Sequence, residues 1–297
     1  MRLSLISCLA LVPLVACAEP EVPPPAGPAV EAAPEVVAAA PAVPQLEQLW
    51  VAEGFEDPEG IAMAPDGSYF VSNVRGEGTE TDGDGYVSKL SPDGQMIAQY
   101  FAAKLNGPKG MAVKDGVLYV ADIAEVVKFD AETGARLGTL RVEGAGFLND
   151  MTVWGERVLV SDSGKGEILD VTGEAPVVWL ADTEKLAGVN GILGDGDRLL
   201  VATMASGSLY SASAAGELTE LASGMENADG IGIVPGGGYL VSSWPGQIHY
   251  TPGDGSFTTI VDTVEGGIMQ NDLTEFGDIV ISPNWVPGTV TAWKVVR

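Results

Sequence analysis

Cysteine is almost absent: the chain has 2, Cys8 and Cys17, both near its beginning. A disulfide-stapled scaffold and a cysteine-rich metal module are thereby excluded for everything downstream, which must stand on its core alone. Histidine occurs once, as His249 in "GQIHYTP". That leaves no credible Ser-His-Asp set and no imidazole- or thiolate-built zinc centre. Its mid-strand setting marks His249 as an outer-strand side chain and not a ligand. Positive charge is scarce too, with 15 Lys+Arg against 41 Asp+Glu and a formal charge of −26. Such a surface argues against nucleic acid or anionic lipid as a partner and favours cations, although scattered acids mostly serve solubility.

One long apolar run exists, "LSLISCLALVPLVA", and it is too short to span a bilayer. With Arg2 before it and "LVAC" at its end it reads as a secretory signal over residues 1–16. "LVAC" is similar to the bacterial lipobox, which implies cleavage before Cys17 and its lipidation, hence a membrane-anchored exported bacterial lipoprotein. An ordinary signal peptide with an incidental cysteine is the alternative. Ala18 in place of a retention-type Asp favours the periplasmic face of the outer membrane over the inner one. Residues 17–44 are rich in Pro and Ala and form an extended tether with nothing to bury. The first 44 residues carry Arg2 against Glu19, Glu21, Glu31 and Glu35, a charge of −3, so −23 belongs to the remainder. That remainder, 45–297, is long enough for one large all-β domain, expected to be monomeric.

What it does contain is a repeat. "PEGIAMAPDGSYFVSN", "PKGMAVKDGVLYVAD", "LNDMTVWGERVLVSD", "VNGILGDGDRLLVAT", "ADGIGIVPGGGYLVSS" and "QNDLTEFGDIVISPN" share one shape. Aligned on the residue before the Gly or Asp, the column reads Glu59, Lys109, Asn149, Asn190, Asp229, Asn271, at intervals of 50, 40, 41, 39 and 42 residues. Each copy runs strand, Gly/Asp turn, strand, then a third and a weaker fourth strand. This period with four strands per unit predicts a six-bladed β-propeller. The last unit is one strand short. "QLEQLWVAEGF" at 45–55 alternates as a strand and is expected to close that unit from the N-terminal side, removing an open edge.

Innermost propeller strands line the channel, so the column predicts a ring of side chains at one mouth. A Glu, an Asp, three Asn and a Lys offer many oxygens and no soft ligand, which suits a hard cation with oxygen ligands, most readily Ca²⁺, with Mg²⁺, Mn²⁺ or Zn²⁺ as alternatives. The second strands end in Asn73, Asp122, Asp162, Thr203, Ser243 and Pro283–Asn284, a second polar ring suited to orienting the first. Asn271, Asp122 and Asp162 are candidate additions to the ligand set. The competing reading is that strand-opening Asn, Asp and Gly residues serve only the connecting turns.

"PEGIAM", "VNGILG" and "ADGIGI" together make the chain resemble the gluconolactonase/regucalcin group of six-bladed propellers. The resemblance implies a divalent cation held by Glu59, Asn190 and Asp229, with Asn149 near metal or substrate. Departures are visible: "EGIAM" lacks the group's Pro and Trp, and Lys109 occupies the second-unit place. There it could bind an anionic substrate or fill part of the ring. An acidic insertion, "VRGEGTETDGDGY", could arch over the mouth; its Asp82 and Asp84 read as a turn sooner than as a cation loop. The implied activity is hydrolysis of a lactone or related ester, with Asp229 as general base and Asn149 and Lys109 binding substrate. A non-enzymatic binding module, with a structural ion or none, stays open beside it.

Overall fold

The computed structural model describes residues 42–297. The signal segment 1–16, Cys17 and nearly all of the 17–44 tether lie outside the described residues. Among those described there are twenty-five strands and no helix.

The strands form five antiparallel-built sheets. Four have four strands each, taken consecutively from the chain. They open with Pro58–Met63, Pro108–Lys114, Leu148–Trp154 and Val189–Asp195. The fifth has nine strands, where two separate units are expected. It divides at one parallel pair, Ile231 beside Thr274, into a four-stranded group from Ala228–Ile233 onward and a group built on Thr274–Phe276, Ile279–Val286 and Thr289–Val296. Beside the junction Gly230 presents no side chain: a Cβ there would sit 2.6 Å from the Leu273 carbonyl oxygen.

Gln45–Glu53, the strand expected to close the last unit, pairs antiparallel with Thr289–Val296 from Gln45 opposite Val296 to Glu53 opposite Thr289. It also ties the ends of the fold together. Trp50 stands over Gly94 in the first sheet, where a Cβ would come within 2.7 Å of the indole, and its Nε1 donates to the Pro92 carbonyl at 3.2 Å.

The opening strands touch one another in a closed circuit: first sheet to second, third, fourth, then the two halves of the fifth and back to the first. Between neighbouring sheets lie apolar layers such as Phe70, Leu105, Leu118 and Phe129, all buried. The circuit encloses a channel, and the column residues sit on its wall.

Candidate functional site

In each of the first four sheets and in the Ala228–Ile233 group, the register of the opening pair breaks at the same place. The shifts fall between Pro58 and Ile61, Pro108 and Met111, Leu148 and Met151, Val189 and Ile192, and Ala228 and Ile231. Every break brackets a column residue and its successor. A β-bulge inserts a residue, bends the strand and re-aims its side chain. This explains why strand-averse residues interrupt otherwise apolar strands. They occupy the bulge, and the bulge points them at the axis. In the last unit the equivalent segment, Asn271 to Leu273, falls between the short strands Met269–Gln270 and Thr274–Phe276.

A bulged amide loses its ladder partner, and serines on the second strands replace it. Ser72 Oγ accepts from Gly60 N at 2.8 Å, Ser242 Oγ from Gly230 N at 2.8 Å, and Ser161 Oγ from Asp150 N at 2.9 Å. Ser161 Oγ also donates to the Asn190 carbonyl at 2.8 Å, linking two units. These serines hold the backbone beside Glu59, Asn149, Asn190 and Asp229. Sequence reasoning passed over them; their penultimate register in the second strand was the available signal.

All six column residues line one cavity of about 360 Å³: Glu59, Lys109, Asn149, Asn190, Asp229 and Asn271. Asn149 Nδ2 donates to Ser163 Oγ at 3.2 Å, and Lys109 Nζ to the Gly78 carbonyl at 3.4 Å. Among the described residues, no protein group hydrogen-bonds the side chains of Glu59, Asn190, Asp229 or Asn271, although Asn190, Asp229 and Asn271 are buried. The insertion after Val74 reaches the same cavity through Glu77 and Gly78. Asp82 and Asp84 are not in its wall; Asp82 Oδ1 accepts from the Asp84 amide at 3.3 Å, as a turn requires.

The second ring behaves differently from the expectation. Asp122 accepts the Asn106 and Gly107 amides, and Asp162 accepts those of Gly146, Phe147 and Gly164, at 2.8 to 3.1 Å. Asn73 Oδ1 accepts from the Glu56 amide at 3.1 Å. These carboxylates and amides brace the loops entering the opening strands, and neither Asp122 nor Asp162 is part of the cavity wall. Their acceptor capacity goes to backbone donors left bare by the loop. Residues one position further on supply wall instead: Met204 and Trp244 each follow a second-strand terminus, Trp285 follows Asn284 within its strand, and Phe147 joins them. His249 lies on the third strand of its group, not the outer one. It is buried, its ring nitrogens within 3.0 Å of Thr259 Oγ1 and 3.1 Å of Ser243 Oγ. Burial lowers its pKa.

Two further carboxylates sit one residue past the column. Asp150 and Asp272 occupy the axis and line a second cavity of about 270 Å³. Asp150 accepts from Met151 N at 2.7 Å and Ile192 N at 2.8 Å; Asp272 accepts from Leu273 N at 2.7 Å. Gly110 leaves room for this, since a Cβ there would meet Asp150 Oδ1 at 2.5 Å. Four carboxylates therefore share the channel. Burial pushes Glu59 up to about 8, with Lys109 opposing and Asp272 reinforcing. Burial raises Asp229 well above the usual carboxylate range, helped by Asp272, Glu59 and Asp150. Asp150 is raised well above that range by burial and Asp272, and burial lifts Asp272 to about 6. Crowded, poorly hydrated carboxylates of this kind gain from a counter-ion.

The donor set fits a hard cation in chemistry: two carboxylates and amide carbonyls converging without protein partners. Among the described residues no three His, Cys, Asp or Glu side chains gather as a metal group, so amide oxygens would have to complete the shell. Lys109 contributes one positive charge to the same wall.

No protein-family model matches the chain, and no curated protein matches it by sequence. Solved structures do match by fold. A protein provisionally designated a gluconolactonase superposes with TM-score 0.60 at 19% identity, covering 86% of this chain and 94% of its own. Virginiamycin B lyase from Staphylococcus aureus gives 0.61 at 11%, covering 86% and 100%. The Cps50 (Swd1) β-propeller domain from Myceliophteria thermophila gives 0.55 at 12%, covering 84% and 100%. The class is thus the all-β, propeller-like one. Identities this low speak for the fold alone.

Proposed function

We propose that the chain is a six-bladed propeller of gluconolactonase-like type that hydrolyses a lactone or related ester at the mouth of its channel. The two halves of the nine-stranded sheet count as the fifth and sixth blades in this reading. The observation that carries the reading is the convergence of Glu59, Asn190 and Asp229 on one cavity with side chains that no group among the described residues engages.

Glu59, Asn190 and Asp229 would hold a divalent cation, Ca²⁺ by preference for an all-oxygen set, and Asn271 could add an oxygen. When bound, the cation supplies Lewis-acid stabilisation of charge developing on the carbonyl oxygen. Asp229 offers a carboxylate oxygen to take the proton of the attacking water. Asn149, fixed by Ser163, orients the ester, and Lys109 donates to a substrate oxygen. Water adds to the carbonyl carbon as Asp229 takes its proton, the ring C–O bond breaks, and that proton passes from Asp229 to the departing alkoxide, leaving a hydroxy acid. The aromatic wall and the Glu77–Gly78 arch restrict water around the reacting atoms.

Cleavage before Cys17, lipidation there, a 17–44 tether and outer-membrane anchoring as a monomer complete the proposal. The supporting feature is the "LVAC" signature in a chain whose other cysteine, Cys8, lies within the apolar run before it. The second reading, a binding module without catalysis, draws on Lys109, which places a fixed cation where a ring ligand would stand. A lactone panel assayed with excess calcium and then with chelator separates the two. Calcium-dependent ring opening supports the enzyme; a chelator-insensitive melting curve with no turnover supports the module.

A further inference from the structure

One part of the wall of this cavity is apolar. Phe147, Met204, Trp244 and Trp285 are half-buried around it, and the two indoles meet edge to face with centroids 6.4 Å apart. Aromatic walls of this kind bind flat apolar surface.

Against this apolar wall stands an under-used cationic donor. Lys109 is 4% exposed, and no carboxylate lies within ion-pair distance of it among the described residues. Its Nζ has three donors, but the 3.4 Å contact to the Gly78 carbonyl is its one hydrogen bond. It otherwise lies 4.7 Å from the centroid of Phe147. A buried ammonium with spare donors is costly unless a ligand acceptor completes it, and an anionic acceptor does so best. Phe147 joins the two features, since the ring beside the ammonium is also part of the apolar wall.

We infer that the substrate is an aromatic or similarly flat apolar lactone or ester carrying an acidic substituent. The ring lies against Phe147, Trp244 and Trp285, and the acidic group accepts from Lys109 beneath the Gly78 arch. This rests on the cation-bound ring proposed above, because Glu59 and Asp229 repel an anion until their charge is neutralised. Cation and anion binding are therefore positively linked, each tightening the other.

Calorimetry of the full chain in calcium tests this with three probes: naphthalene-2-carboxylate, the matching neutral alcohol naphthalene-2-methanol, and gluconate. The aromatic acid should bind at least tenfold more tightly than either comparator. Lys109→Met should erase the preference for acid over alcohol, a loss of tenfold or more, as expected for one charge-assisted hydrogen bond. Trp285→Leu should weaken acid and alcohol alike. A calcium-induced rise in melting temperature, retained in both variants, reports that they fold and bind the cation. Gluconate binding as tightly as the aromatic acid overturns the inference, as does an acid preference that survives Lys109→Met. An acid preference lost in Lys109→Met but present without any calcium response would sustain the anion site while refuting the cation-dependent reaction.

Discussion

Removing divalent cations should invert the ordinary pH dependence of stability. Glu59 titrates near 4.5 in an unfolded chain and is raised to about 8 by burial in the channel wall. Between those values the native state binds a proton that the unfolded state has released, so stability falls as pH rises. The penalty is absent below pH 4.5 and grows at about 1.4 kcal/mol per pH unit through the window. From pH 5 to 8 Glu59 alone costs the chelated protein on the order of 4 kcal/mol. Asp272, raised from 3.8 to about 6, adds to the slope in the acidic part of that range. Lowered groups such as Asp130 and Asp182, whose carboxylates accept hydrogen bonds from Thr133 and Lys185, contribute stability that is lost only on further acidification. Chelated protein should thus be most stable near pH 5. For a domain of this size its melting temperature should fall by about 10 °C on going to pH 8. Calcium requires ionised carboxylates, so its stabilisation should be largest at pH 8, about 2.7 kcal/mol at 100 times Kd. Differential scanning fluorimetry across pH, with chelator and with calcium, reads both curves. A chelated curve that is flat or rises from pH 5 to 8 would refute the reasoning.

The other expectations are local. Deleting 45–53 exposes the Thr289–Val296 edge and removes Trp50 from Gly94, so it should cost about 3 kcal/mol or more and promote aggregation. Deleting residues 18–40 should leave the melting temperature unchanged; equal effects of the two deletions would contradict the closure. Ser161→Ala strips the Asp150 amide and the Asn190 carbonyl of their partner, which should cost about 1–3 kcal/mol in thermal unfolding and lower calcium affinity. Cys17→Ala should abolish partition into the detergent phase, and unchanged partition would make "LVAC" a coincidence.

The architecture was largely legible because a repeated four-strand unit writes itself as a period. Gly and Asp turns at fixed offsets, with apolar strands between them, marked each unit, and the spare strand at 45 announced the closure. The fusion of the last two units was not legible, since it rests on a single parallel pair, Ile231 beside Thr274. The six column residues could be aligned by eye, and they do share a cavity. Their companions could not be aligned that way. Ser72, Ser161 and Ser242 act through hydrogen bonds to bulged amides; their shared penultimate register was visible, but the bulged amide each one serves was not. Asp122 and Asp162 looked like ligands by composition; tertiary context gave their oxygens to loop amides instead. Asp150 stood in plain view beside Asn149, but its place on the axis emerges only when opposed strands bring Asp272 near it.

The central claim, that the channel-mouth ring performs cation-dependent ester hydrolysis through Asp229, is tested most directly by one comparison. Turnover of an aromatic lactone is followed in saturating calcium for the native chain, Asp229→Ala and Asn149→Ala, with melting temperatures recorded alongside. The account predicts calcium-dependent hydrolysis by the native chain. Asp229→Ala should lose that activity together with most of the calcium-induced stabilisation, whereas Asn149→Ala should keep the stabilisation and turn over slowly. Hydrolysis that persists in Asp229→Ala would contradict it.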